Sequence, residues 1–139
     1  MKIGFIGLGN VGSKLAGSLL RNGFDLTVLD LNEQTVRELI KKGAKFGESP
    51  KQMVESSDLL ITCFPSPAVS APVIEDQDGI LTGMSAGKIW AEMSTTDEAE
   101  VIRLGEKVQN LDGEPMNCPV SGGCNRAATG NISIFAGGE

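Results

Sequence analysis

Short apolar runs alternate along this chain with segments whose apolar residues recur every three or four positions. That alternation predicts an α/β fold built on a doubly wound, mostly parallel sheet. Lys2 to Ile6 reads as the first strand. Val11 to Arg21 follows as a helix, with Val11, Leu15 and Leu19 on one face, and Asn22-Gly23 stops it. Leu26 to Leu29 is a second strand. Asn32 caps a helix over Glu33 to Lys42, which Gly43 ends. Ala44 to Phe46 forms a short strand. Ser49-Pro50-Lys51-Gln52 has the form of a capping box with proline at the first helical position, opening a brief helix that ends near Ser57. Leu59 to Phe64 is continuously apolar, as suits a strand buried on both faces. Pro65-Ser66-Pro67 breaks that run and leads into a helix or turn. Ile89 to Met93 is a further strand, and Thr95-Thr96-Asp97-Glu98 reads as a capping box for a helix to Gln109. Glu114 to Val120 and Ile132 to Ala136 read as strands bracketing a loop from Ser121 to Gly130. With no internal repeat and no linker, residues 1–139 read as a single domain.

Composition narrows the chemistry. The 139 residues are 40% hydrophobic and 22% charged, enough for a real core. No apolar run approaches the ~18 residues of a membrane span. Met1 to Gly7 lacks the basic stretch of a signal peptide, so the cytoplasm is the expected location, with no membrane partner. Net charge is −6 without a basic block, which argues against a nucleic-acid partner. An acidic domain still binds an anionic cofactor where backbone N–H groups at a helix start converge. Cys63, Cys118 and Cys124 form no C-x-x-C pair and read as reduced thiols; no metal site is expected. With neither His nor Tyr in the chain, a Ser-His-Asp triad, a histidine acid/base and a tyrosine proton donor are all excluded.

Five segments carry candidate chemistry. Gly7-Leu8-Gly9-Asn10-Val11-Gly12 is a G-x-G-x-x-G between a predicted strand and a predicted helix, the context in which the motif grips a pyrophosphate. Gly7 permits the tight turn, Gly9 the approach of the phosphates, and Gly12 close packing of helix on strand. Asp30 ends the second strand, 18 residues past Gly12. An acid there hydrogen-bonds ribose hydroxyls and repels a 2′-phosphate, which favours NAD over NADP. The alternative is that it merely caps the turn into the next helix. Cys63-Phe64-Pro65-Ser66-Pro67 lies where a ligand would cross the sheet, or is a plain turn. Glu92-Met93-Ser94-Thr95-Thr96 occupies the same rim, with Thr95 also suited to capping a helix. Cys118-Pro119-Val120-Ser121-Gly122-Gly123 offers clustered N–H groups for a carboxylate, or is a surface turn.

Taken in order, these motifs resemble the β-hydroxyacid dehydrogenase family, which includes 3-hydroxyisobutyrate dehydrogenase, tartronate semialdehyde reductase and, further off, 6-phosphogluconate dehydrogenase. Residues Gly7 to Gly12 with Leu15-Ala16 resemble the family's G-L-G-x-M-G-x-x-M-A, with Val11 and Leu15 in place of methionines. Glu92-Met93-Ser94-Thr95 resembles D-x-S-T, with Glu for Asp. Pro119 to Gly123, followed by Ala127, Gly130 and Gly137-Gly138, resembles the P-V-S-G-G segment.

The resemblance implies a Rossmann-type domain binding NAD through Gly7, Leu8, Gly9, Asn10, Val11, Gly12 and Asp30. It further implies backbone contacts from Phe64 and Pro65, and Thr95 against the nicotinamide ribose. Ser121, Gly122 and Gly123 would hold the carboxylate of a short 3-hydroxy acid during reversible hydride transfer. Arg126 departs from the family's small residue. The family's catalytic lysine, in a G-x-x-x-K type segment, and its helical dimerising domain have no counterpart in this sequence. The expectation is therefore an NAD-binding domain of a homo-oligomeric parent, inactive by itself. A free-standing NAD(H) sensor and a related imine reductase are the competing expectations.

Overall fold

The first apolar run sits at the centre of the sheet that the later runs extend. In a computed structural model, which describes residues 1–137, β1 (Lys2–Ile6) is followed by α1 (Gly12–Arg21), β2 (Asp25–Leu29), α2 (Glu33–Lys41) and β3 (Lys45–Phe46). Next come α3 (Pro50–Ser56), β4 (Leu59–Thr62), α4 (Pro67–Glu75), α5 (Ile80–Gly83), β5 (Ile89–Glu92), α6 (Glu98–Gln109) and β6 (Glu114–Asn117). The order β3-β2-β1-β4-β5-β6 makes one six-stranded, all-parallel sheet. The chain winds outward from β1 in one direction, then returns to start again at β4 on its other side.

Alternation along the strands sorts side chains onto two faces. Phe5, Val28, Ile61 and Ala91 pack with Leu15, Ala16, Val36 and Leu39 from α1 and α2. Ile6, Leu60 and Trp90 pack with Met53, Val54, Ile74, Ile80, Leu104 and Val108 on the opposite side. Each large side chain buried this way contributes about 1.5–3 kcal/mol before conformational entropy is counted. The expected caps at Asn32 and Ser49 form: Asn32 Oδ1 accepts from the N–H groups of Gln34 and Thr35, and Ser49 Oγ from that of Gln52.

Three local expectations are corrected. The helix assigned to the Thr95 box begins instead at Glu98, capped by Asp97, whose carboxylate accepts from the Glu100 N–H. Asp caps a helix better than Thr, and it stands one position before the helix. The strand expected over Glu114 to Val120 ends at Asn117. Past Pro119, β7 (Val120–Ser121) pairs antiparallel with β8 (Ser133–Ile134) in a separate two-stranded sheet. Between them the supposed loop holds a helix, α7 (Gly123–Thr129), ended by Gly130 in the left-handed conformation. Ala127 anchors it in the core beside α1. Asn117 and Gly137 form an isolated antiparallel bridge; Gly138, part of the family-like segment, lies outside the described residues.

On the outer surface, Glu75 at the end of α4 accepts two hydrogen bonds from the Arg103 guanidinium, at 2.8 and 2.7 Å, and another from Lys107. Glu100 also holds Arg103. The Arg103 guanidinium, more than Lys107, lowers the Glu75 carboxyl from 4.5 to about 2. A depressed carboxylate stabilises the fold above its unfolded pKa and loses that contribution as pH falls through its folded one. Replacing Glu75 with Gln should therefore lower stability by about 1 kcal/mol at pH 7. In denaturant titrations the gap to the unmodified protein should close between pH 4.5 and about 2. A gap constant across that range would show that the clamp is not what holds α4 on α6.

Candidate functional site

The C-terminal ends of β1, β2, β4 and β5 rim a single cleft of about 1050 Å³. It opens where the sheet order reverses, between the half led by β1 and the half led by β4, the usual ligand crevice of open parallel sheets. Its volume is at the upper end for small-molecule sites, as an extended ligand requires.

The glycine loop lies at the cleft's centre. Gly7 sits at φ +96°, and a Cβ there would meet the Cys63 carbonyl oxygen at 2.3 Å. A Cβ on Gly12 would meet the Gly7 carbonyl oxygen at 2.0 Å. These two residues are glycine because backbone passes against backbone. Gly9 differs: nothing lies within 4 Å of its Cβ position, and it lines the cleft. That open space is the cradle a side chain would fill and a phosphate can occupy. Helix α1 has no side-chain cap, and the N–H groups of Gly9 to Gly12 find no acceptor among the described residues. Uncapped donors at a helix start attract an anion through both hydrogen bonding and the helix dipole.

Asp30 lies on the β2 side of the cleft. Its Oδ2 accepts the Leu8 N–H at 2.6 Å and its Oδ1 accepts the Asn32 N–H at 2.7 Å. The carboxylate therefore makes the turn-capping contact and also braces the glycine loop, while each oxygen keeps capacity for an outside donor. Leu31 beside it is 99% exposed and lines the cleft. Arg37 is engaged with Glu33 one turn along α2, at 2.9 Å. Of the glycine-loop residues, only Leu8 stays out of the cleft. Its side chain is in the core and its N–H is spent on Asp30.

Phe64, Pro65 and Thr95 line the opposite wall, as does Ser94. The Phe64 N–H donates to Ser94 Oγ at 2.6 Å, and the Ser94 N–H donates to Glu92 Oε1 at 2.8 Å. Glu92 is 2% exposed. Burial raises its pKa, opposed by hydrogen bonds from Ser94 and from the Thr62 hydroxyl. Burial, with help from the nearby Glu92 charge, pushes the Cys63 thiol up to about 11. Cys63 is therefore protonated at neutral pH and a poor nucleophile.

The substrate-loop residues are only partly drawn in. Val120 and Gly123 line the cleft, whereas Ser121 and Gly122 are exposed just outside its lining. Gly122 and Gly123 sit at φ +133° and +73°, a backbone that glycine adopts at little cost. The Arg126 stem packs over Gly122, within 2.7 Å of where its Cβ would stand. Among the described residues no lysine lines the cleft and no cluster is suited to a metal ion. Sequence reasoning missed Val69 and Val73 of α4, which also line the cleft. Pro67, at the first position of that helix, was the available signal.

A parallel strand, a glycine turn and an uncapped helix, with an acid ending the next strand, define a Rossmann-type dinucleotide-binding domain. The family model for the NAD binding domain of 6-phosphogluconate dehydrogenase matches residues 2–139, and the chain belongs to that family. The chain is 33% identical over 136 residues to mitochondrial 3-hydroxyisobutyrate dehydrogenase of Rattus norvegicus, covering 98% of this chain and 41% of the rat protein. It superposes on Psf3, solved in complex with NADP+ and 2-OPP, with a TM-score of 0.94 and 25% identity, over 99% of this chain and 49% of that one. It superposes on an imine reductase from Pseudomonas sp. with a TM-score of 0.82 and 26% identity, over 90% of this chain and 43% of that one. The chain thus spans less than half the length of these relatives. No helix among the described residues is long and apolar enough to cross a membrane. The rat relative is mitochondrial by name, so the family lends the cytoplasmic expectation no support.

The contrast between Gly9 and Gly12 yields a test. Gly9→Val should leave thermal unfolding unchanged while weakening NAD binding at least about tenfold in calorimetry, because only the phosphate's space is filled. Gly12→Val should lower the melting temperature as well, because it forces α1 away from Gly7.

Proposed function

We propose that this chain is the cofactor-binding half of an oxidoreductase that moves a hydride between NAD and a short 3-hydroxy acid. The observation carrying the proposal is a continuous cleft with Gly9 and Asp30 at one end and Thr95, Val120 and Gly123 at the other. Bound NAD supplies the hydride acceptor. Gly9 to Gly12 offer N–H donors to its pyrophosphate, and Asp30 offers two acceptor oxygens to a ribose diol. Phe64, Pro65 and Thr95 flank the nicotinamide end. The glycine turn at Gly122 and Gly123 has no side chains of its own over its backbone N–H groups, which would hold the carboxylate of the acid beside that end. Ser121 adds a hydroxyl at the same mouth.

Among the described residues the cleft is lined by two carboxylates, Asp30 and Glu48, and by no lysine. Asp30 is engaged by the Leu8 and Asn32 N–H groups, the Cys63 thiol is held protonated, and Glu92 is buried. In this reading the proton-transferring lysine and the dimerising helical domain belong to a longer parent, since the chain covers 41% of the rat relative and 49% of Psf3. General acid/base help is worth ~10²–10⁴-fold, so the 139-residue chain should bind cofactor and turn over poorly. The similarity to an imine reductase supports a second reading. A carboxylate-binding turn favours the hydroxy acid, and titrating a panel of 3-hydroxy acids in the presence of NADH separates the two.

Cofactor choice is the sharpest test, because a relative is solved with NADP+. Asp30→Ala combined with Leu31→Arg removes the repelling carboxylate and adds a cation at a fully exposed position. The variant should shift the ratio of NADPH to NADH affinity by about tenfold or more toward NADPH, measured by calorimetry. An unchanged ratio would remove Asp30 from cofactor selection.

A further inference from the structure

One buried ionisable group is left without a role by this reading. Glu92 ends β5, does not line the cleft, and is 2% exposed. Its register partner on β4 is Thr62, itself fully buried. Around the carboxylate the polar groups form a chain. The Trp90 indole N–H donates to Thr62 Oγ1 at 2.9 Å, and the Thr62 hydroxyl bonds Glu92. Ser94 meets Glu92 through both its N–H and its side chain, and its Oγ receives the Phe64 N–H. Thr62 and Trp90 tie Glu92 back into the strands, while Ser94 and the Phe64 N–H carry it to two loops, Cys63–Pro65 after β4 and Met93–Thr95 after β5. Both loops line the cleft.

A buried carboxylate without a cationic partner is costly, and a core position facing Trp90 and Leu60 would be served more stably by an apolar residue. What the carboxylate adds is multiple acceptance: it holds two hydroxyl groups and one N–H at fixed positions at once. We propose that Glu92 is a positioning residue, acting through Ser94 to fix the Phe64 amide and so lock together the two loops that flank the nicotinamide half of the cofactor. This rests on the cleft being a dinucleotide site. The adenosine half lies against Asp30 and the glycine loop, which Glu92 does not touch.

That division gives a readout which a purely structural role would not produce. Ser94→Ala cuts the joint to Phe64 with little loss of volume, and Glu92→Gln keeps the shape while removing the charge. Both variants of the 139-residue chain should weaken NADH binding about tenfold while leaving ADP-ribose binding unchanged. Trp90 is the sole tryptophan, bonded into the same chain through Thr62, so its emission should also shift in Glu92→Gln. Unchanged NADH affinity in both variants would overturn the proposal. So would equal weakening of NADH and ADP-ribose, which would mark a general loss of structure. If the unmodified chain bound neither ligand, the dinucleotide reading beneath the proposal would fall first, and with it this role.

Discussion

Everything at the cleft depends on how closely helix α1 can leave strand β1. With 2.0 Å between the Gly12 Cβ position and the Gly7 carbonyl oxygen, no side chain of any size is admitted. That contact forces the chain to turn sharply at the strand's end and aims the uncapped start of α1 at the middle of the sheet's rim. The next strand then meets the loop from the side. Asp30 reaches Leu8 across the gap and fixes the loop's height, at 2.6 Å. A chain of net charge −6 thus builds a locally electropositive point from backbone alone.

The sheet's winding explains why the two ends of the cleft differ in construction. On the β2 side the groups facing a ligand are backbone amides braced by one carboxylate that is itself on the wall. On the β4 and β5 side the wall is two loops, which need something behind them. The residues that hold them are Thr62, Glu92 and Ser94, all nearly inaccessible to solvent. Burial, reinforced by the Glu92 charge, keeps the neighbouring Cys63 thiol protonated, which leaves that wall without a competing nucleophile.

The parallel architecture was legible in the sequence because buried parallel strands are apolar throughout and their helices keep a regular period. The runs Leu59 to Phe64 and Ile89 to Met93 marked β4 and β5, which end earlier, at Thr62 and Glu92. The glycine loop and Asp30 were legible because their spacing encodes a local geometry. The region after β6 was not, for a different reason. Pro119 stops the ladder, and the segment beyond it is stabilised by contacts distant in sequence: Ala127 packing near α1, and Val120 pairing with Ile134. A seven-residue helix carrying Gly, Asn and Thr has little propensity of its own, so tertiary packing decides it.

The misplaced helix start at Thr95 has a related cause, and it bears on function. Thr95 reads as the cap in the sequence, but Asp caps a helix better than Thr and Asp97 takes the role. Glu92 meanwhile accepts the Ser94 N–H and ties the residues before Asp97 to the end of β5. Thr95 is left exposed on the cleft wall instead of being spent on a cap. Among the described residues the buried Thr96 hydroxyl next to it has no partner. The cap falls to Asp97, Thr95 stays on the cleft wall, and the bond that ties this segment to the end of β5 comes from a core residue whose chemistry the motif itself did not reveal.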